Sequence, residues 1–123
     1  MAGQVVHMEF VASDIDRASE FWNGLFDWGL KDSGMPDMDY RMAEAGNGQG
    51  VALYKGEAGE PKVYLDTPNI DVSIAKARAL GGHAEDKMPV PGHGWFAACR
   101  DTEGNPFHLW QGDAQAAPPS ADG

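Results

Sequence analysis

The sequence predicts an α+β domain of two βαβββ modules in tandem, related by pseudo-twofold symmetry. Three observations carry this. The segment "SDIDRASEFWNGL" (13–25) aligns with "PNIDVSIAKARAL" (68–80), so that Ile15 meets Ile70, Asp16 meets Asp71 and Leu25 meets Leu80 at an offset of 55. The segment "GQGVALYKG" (48–56) aligns with "GNPFHLWQG" (104–112), pairing Leu53 with Leu109 and Tyr54 with Trp110 at an offset of 56. The apolar period switches from strand to helix and back in the same order within each block. Two copies are too few for a solenoid. The modules run from about 4 to 56 and from 60 to 112, within one domain spanning 1–112.

The first module opens with "VVHMEFVA", whose β-branched and aromatic residues predict a strand. Asp14 is the expected N-cap. Ala18, Phe21, Trp22 and Leu25 then recur at i, i+3, i+4 and i+7, one apolar stripe of a helix. Strands follow near Trp28–Lys31, Tyr40–Glu44 and Gly50–Tyr54, with "KDSGMPDMD" as a loop and "AGNGQG" as the hairpin turn before the last of them. In the second module "KVYLD" is a strand and Asn69 or Asp71 starts a helix. Ile70, Ile74, Ala77 and Leu80 face its core side, and Gly81-Gly82 stops it. Strands are expected near Ala84–Met88, Trp95–Arg100 and Pro106–Trp110, with "PVPGHG" (89–94) as a loop. The tail from Asp113 to Gly123 is expected to be flexible. Helices over the outer faces of curved open sheets would leave a concave pocket inside.

Composition excludes several partners. The net charge is −10 with nine Lys and Arg, which argues against nucleic acid and an anionic membrane surface. No basic leader or apolar run of about 20 residues is present, and the single Cys99 allows neither an intrachain disulfide nor a Cys-based zinc site. A cytoplasmic location is the expectation. No serine or cysteine carries a nucleophile motif, and "AGNGQG" is too irregular for a phosphate loop.

Three stretches, "VVHMEFVASDIDRASEFWNGLFDW", "NIDVSIAKARALGG" and "CRDTEGNPFHLWQ", resemble the vicinal oxygen chelate superfamily. That group contains glyoxalase, bleomycin-resistance proteins and extradiol dioxygenases. Thr102 stands where the family commonly has proline. The resemblance implies paired βαβββ modules, a curved open sheet and a homodimer. It also implies four metal-ligand positions, one on the first and one on the last strand of each module. Here they read His7, Ala52, Lys62 and His108, and the internal repeat pairs the same residues, His7 with Lys62 and Ala52 with His108. Ala52 has no ligand atom and an ammonium is donor-only. A full metal site and a cofactor are therefore not expected, though His7 and His108 are weak candidates for a loosely held divalent metal.

Strand alternation adds neighbours to these positions: Glu9 with His7, Tyr54 with Ala52, Tyr64 with Lys62 and Trp110 with His108. The expected ligand-binding set is His7, Glu9, Tyr54, Lys62, Tyr64, His108 and Trp110, a polar and aromatic lining suited to a small molecule. Taken singly, each aromatic could be core, His7 and His108 could be hydrogen-bonded histidines without a role, and Lys62 could be a surface lysine. The leading expectation is a protein that binds a small aromatic or anionic molecule. The alternatives are a metal-dependent or metal-free lyase, isomerase or dioxygenase, and an interaction subunit with a vestigial pocket.

Overall fold

The computed structural model describes residues 3–34, 38–45, 48–57 and 59–118. Parts of "KDSGMPDMD" and "AGNGQG" lie outside the described residues. The fold is mixed α+β, with two helices and nine strands among the described residues. The chain divides into two compact units, Val6–Val63 and Met1–Val5 with Tyr64–Gly123.

The first unit holds β1 (Val5–Ala12) from Val6 onward, α1 (Ile15–Phe26), β2 (Lys31–Asp32), β3 (Tyr40–Glu44) and β4 (Gly50–Lys55). Their order is β2-β3-β4-β1, with β1 parallel to β4 and the other pairs antiparallel. Asp14 begins the helix as expected. Its backbone is extended and its carboxylate accepts from the Arg17 amide at 3.0 Å, satisfying a donor the helix leaves open. The helix ends on Asp27, whose N–H still donates to the Asn23 carbonyl and whose φ of 57° turns the chain out of the helix.

The apolar stripe of α1 is shifted from the expected one. Ile15 and Ser19 are buried, and Ala18 and Trp22 pack on the core, but Phe21 and Leu25 are more than half exposed. Ser19 takes an inward place because its hydroxyl accepts from Arg41 Nη1 at 3.1 Å. The same guanidinium bonds Asp16 at 2.6 Å, chiefly raising the Arg41 pKa and fastening β3 to the helix. The core combines Ala12, Ile15, Leu30, Val51 and Leu53, and burying a leucine such as Leu53 is worth roughly 1.5–3 kcal/mol.

The second unit contains most of β5 (Lys62–Asp66), then α2 (Ile70–Ala79), β6 (His83–Ala84), β7 (Met88–Val90), β8 (Gly94–Arg100) and β9 (Pro106–Gly112). The order is β5-β9-β8-β6, with β7 also on β8 and β5 parallel to β9. Asn69 is the N-cap, accepting from the Val72 amide at 3.1 Å, and Gln111 Oε1 accepts from the Ile70 amide at 2.8 Å. Ile70, Ile74 and Ala77 face the core, but Leu80 is 70% exposed because the helix has ended at Ala79. Gly81 then has φ 95°, and a Cβ on Gly82 would sit 2.8 Å from the Arg100 carbonyl.

The strand expected over Ala84–Met88 is broken in two. Ala84 pairs with Cys99 and Met88 with Phe96, so four steps on one side oppose three on the other. The extra residue is a local bulge. Arg78 holds the bend by donating Nε and Nη2 to the Ala84 carbonyl. Pro89 and Val90 of the expected loop belong to β7. The start of the tail is also held: the Trp95 indole donates to Asp113, the Gly92 amide bonds the Ala116 carbonyl, and Ala116 is buried. Among the described residues no helix is long and apolar enough to cross a membrane.

Candidate functional site

In the first unit, alternation directs Phe10, Ala12, Val51 and Leu53 to the core beside α1. His7, Glu9, Tyr40, Ala52 and Tyr54 therefore stand on the opposite sheet face, in register across β1, β4 and β3. Glu9 lies opposite Ala52, and Tyr54 opposite Tyr40.

Three of these side chains form a chain of contacts. His7 Nε2 is 2.8 Å from Tyr40 Oη, and that hydroxyl donates to Glu9 Oε2 at 2.5 Å. The imidazole and the carboxylate are 3.8 Å apart. An ionised carboxylate only accepts, so the phenol hydrogen points to Glu9, and the phenol lone pairs are left to accept from His7 Nε2–H. Tyr40 reaches β1 from β3 across β4, and the small Ala52, fully buried there, leaves room for it. Gly50 makes room in the same way, since a Cβ on it would lie 2.5 Å from His7 Nδ1.

Lys62 and Tyr54 form a second pair on the same unit. Lys62 Nζ donates to Tyr54 Oη at 2.8 Å and lies 5.2 Å from the ring centroid. Tyr54 lies opposite Val11 in register, and a Cβ on Gly56 would approach its ring to 3.6 Å.

In the second unit, Phe107 and Leu109 face α2, which turns His108 and Trp110 to the other side of β9. His108 is buried and stacks on Tyr64, with centroids 4.7 Å apart and planes at 23°. Phe96 closes its other flank at 5.7 Å, and pairs in register with Trp110. Thus the structure joins His7 to Glu9, Tyr54 to Lys62, and Tyr64 to His108. It places His7 and His108 in different units. Sequence reasoning passed over Tyr40 and Phe96. Alternation in "YRMAE" and "WFAAC" could have shown their faces, but not which strand each would neighbour.

The turn before β9 is built by Asp101. Its carboxylate accepts from the Glu103 amide and from the backbone and side chain of Asn105, each at 2.9 Å. These bonds, the Asn105 side chain foremost, lower its pKa. Burial pushes the Cys99 thiol pKa up, as befits a core cysteine rather than a nucleophile. A shallow cavity of about 340 Å³ lies on the helix side of the second unit, with Lys76, Leu80, Arg100 and Phe107 in its lining. None of His7, Glu9, Tyr40, Tyr54, Lys62, Tyr64, His108 and Trp110 lines it.

A family model described as a glyoxalase-like domain matches residues 5–110. No curated protein matches. Among solved structures, a hypothetical protein, BH1468, from Bacillus halodurans C-125 superposes with a TM-score of 0.72 at 16% identity, covering 94% of this chain and 99% of that one. Methylmalonyl-CoA epimerase from Mycobacterium tuberculosis gives 0.72 at 14% identity, over 90% and 88% of the two chains. An extradiol ring-cleaving dioxygenase from B. fuscum gives 0.68 at 18% identity, over 95% of this chain but 35% of its own. Identities this low report a shared fold.

Proposed function

The chain belongs to the family of glyoxalase-like domains, and from that premise we propose that it binds a small aromatic or anionic molecule on the sheet faces turned away from its helices. One observation carries this reading. The face of β1, β3 and β4 opposite α1 presents an imidazole, a carboxylate, two phenols and, through Lys62, an ammonium, where a face that served only packing would be apolar. His7, Glu9, Tyr54 and Lys62 are the contacts assigned there. Tyr64, His108 and Trp110 are assigned to ligand contact on the corresponding face of the second unit. The ligand is met without a catalytic metal, because the donor set does not fit one. Ala52 is buried and lacks a donor, Lys62 is an ammonium engaged with Tyr54, and His7 directs Nε2 at Tyr40. Among the described residues no three of His, Cys, Asp and Glu gather as a metal-holding group.

A thermal-shift screen of aromatic acids tests the reading. Stabilisers are expected, and Lys62→Ala should weaken them more than Lys55→Ala, since Lys55 alternates away from Tyr54. Equal loss in the two variants would refute it. Dialysis against a chelator should leave the melting temperature unchanged. A resident metal at a thousandfold excess over Kd would instead contribute about 4 kcal/mol.

A second reading follows from the Glu9–Tyr40–His7 chain: a metal-free isomerase in which Glu9 takes a proton from carbon next to a carbonyl group. Its test is deuterium incorporation from solvent into such a substrate, lost in Glu9→Gln. The internal duplication belongs to the same proposal. It is supported by register, since Glu9 opposite Ala52 and Tyr64 opposite His108 repeat at 55 and 56 residues. A homodimer is also proposed, with the exposed Phe21, Leu25 and Phe26 of α1 as apolar surface that association would remove from water. Light scattering at micromolar concentration checks it.

A further inference from the structure

Lys62 stands apart from the other partly buried cations of this acidic chain. Arg41 has Asp16 and Asp39, and Lys87 has Asp71. Lys62 is also partly buried, yet among the described residues no carboxylate lies within ion-pair distance of it. Among the described residues the ammonium's one side-chain hydrogen bond goes to a phenol, Tyr54 Oη, at 2.8 Å. An ammonium partly removed from water without a counter-ion is costly. In a chain of net charge −10 an acidic neighbour would be easy to supply.

The chemistry of the pair sets its direction. An ammonium has three donors and no acceptor, so Tyr54 Oη must accept from Lys62. The phenol's own hydrogen is then turned away from the ammonium and remains to be donated. Two or more hydrogens, from Nζ and from Oη, thus radiate from atoms 2.8 Å apart. Val11 stands opposite the ring's residue in register, and Gly56 lies so near that a Cβ on it would come within 3.6 Å of the ring. The nearby carboxylate on this face, Glu9, is already occupied by the Tyr40 hydroxyl.

We propose that Lys62 and Tyr54 form a two-donor seat for one anionic oxygen group of the ligand, a carboxylate or phenolate, whose charge is the counter-ion the protein omits. This rests on the reading of the face as a ligand site and names the group it takes. The phenol sets specificity as well as affinity, because its hydrogen demands an acceptor at a fixed position beside the charge.

The experiment follows the Lys62 ammonium and the Tyr54 ring by nuclear magnetic resonance in the full-length protein during titration with acetate, benzoate and benzyl alcohol. Acetate and benzoate should both shift these two sets of signals, benzoate at lower concentration, and benzyl alcohol should not. Benzoate affinity should fall by about tenfold or more in Tyr54→Phe and in Lys62→Met, with the double variant losing little beyond either single one. Unaltered benzoate affinity in Tyr54→Phe would overturn the two-donor seat. So would an absence of any acetate or benzoate shift at Lys62. If acetate is seated but benzoate binds no better, the seat stands and the aromatic part of the functional reading falls. If Lys62→Met fails to fold, Lys62→Arg serves: a planar guanidinium beside Tyr54 keeps the charge but changes the geometry, and should weaken benzoate measurably.

Discussion

Replacing Ala52 by glutamate tests the geometry of the first unit at its most crowded point. Ala52 is fully buried and lies opposite Glu9 in register. Neighbouring strands run roughly 5 Å apart, so the introduced carboxylate would stand about that far from the Glu9 carboxylate. At an effective dielectric of about 20 the repulsion is about 3 kcal/mol. The new side chain would also enter the path by which Tyr40 reaches β1. With an unfolding entropy of about 2.1 cal/mol/K per residue, a loss of 3 kcal/mol lowers the melting temperature by about 12 °C in a chain of this size. The introduced group would have a folded pKa raised above its unfolded value. Its deficit should therefore shrink as pH falls through that folded pKa and be largest at neutral pH. Differential scanning calorimetry from pH 5 to 8 measures this. A zinc or nickel ion offers a second relief, since the substitution sets two carboxylates beside His7. At a hundredfold excess over Kd the metal would restore about 2.7 kcal/mol. A loss below 1 kcal/mol that is flat with pH and indifferent to metal would refute the placement of Ala52 against Glu9.

Asp101→Asn should flatten the acid limb of the stability curve. The Asp101 pKa is lowered by its turn, so its contribution is present above the unfolded carboxylate range and lost as pH falls through the folded value; urea melts at pH 3 and 7 check it. Cys99 should react with a disulfide reagent only after unfolding, because the thiol is buried and its pKa raised; rapid labelling of the native protein would contradict the core assignment. Leu53→Ala should cost about 2–5 kcal/mol, read by denaturant titration, since Leu53 is, with Ile70, among the largest fully buried side chains of the described residues.

Much of the fold was legible because its signals are local. Asp14 and Asn69 announce helix starts by side-chain chemistry that acts within three residues, and Gly81 ends a helix for a backbone reason. The stripe of α1 departs from the expected one at Phe21 and Leu25, since hydrophobicity alone does not reveal that Ser19 gains an inward place through Arg41. The bulge after Ala84 was hidden because it is a mismatch between two strands, visible only in their register. The site divides in the same way. Alternation placed Glu9 with His7, a property of one strand. Tyr40 joined them from 31 residues past Glu9, and that depends on pairing order, which the period of a single strand cannot carry. The partnership of Lys62 with Tyr54 is likewise a product of tertiary placement.

The position of β9 has a consequence for synthesis. It is the last strand in chain order among the described residues, yet it lies between β5 and β8. The second unit therefore cannot close while the ribosome still holds residues 106–112, and β5 and β8 wait with unpaired edges. The first unit has no such delay, for its own interior strand β4 is complete at Lys55. A chain released before Pro106 would leave unpaired the edges of β5 and β8 that β9 covers, the form of backbone most prone to pair with another nascent copy. Premature termination in this protein should thus yield aggregates rather than a soluble fragment.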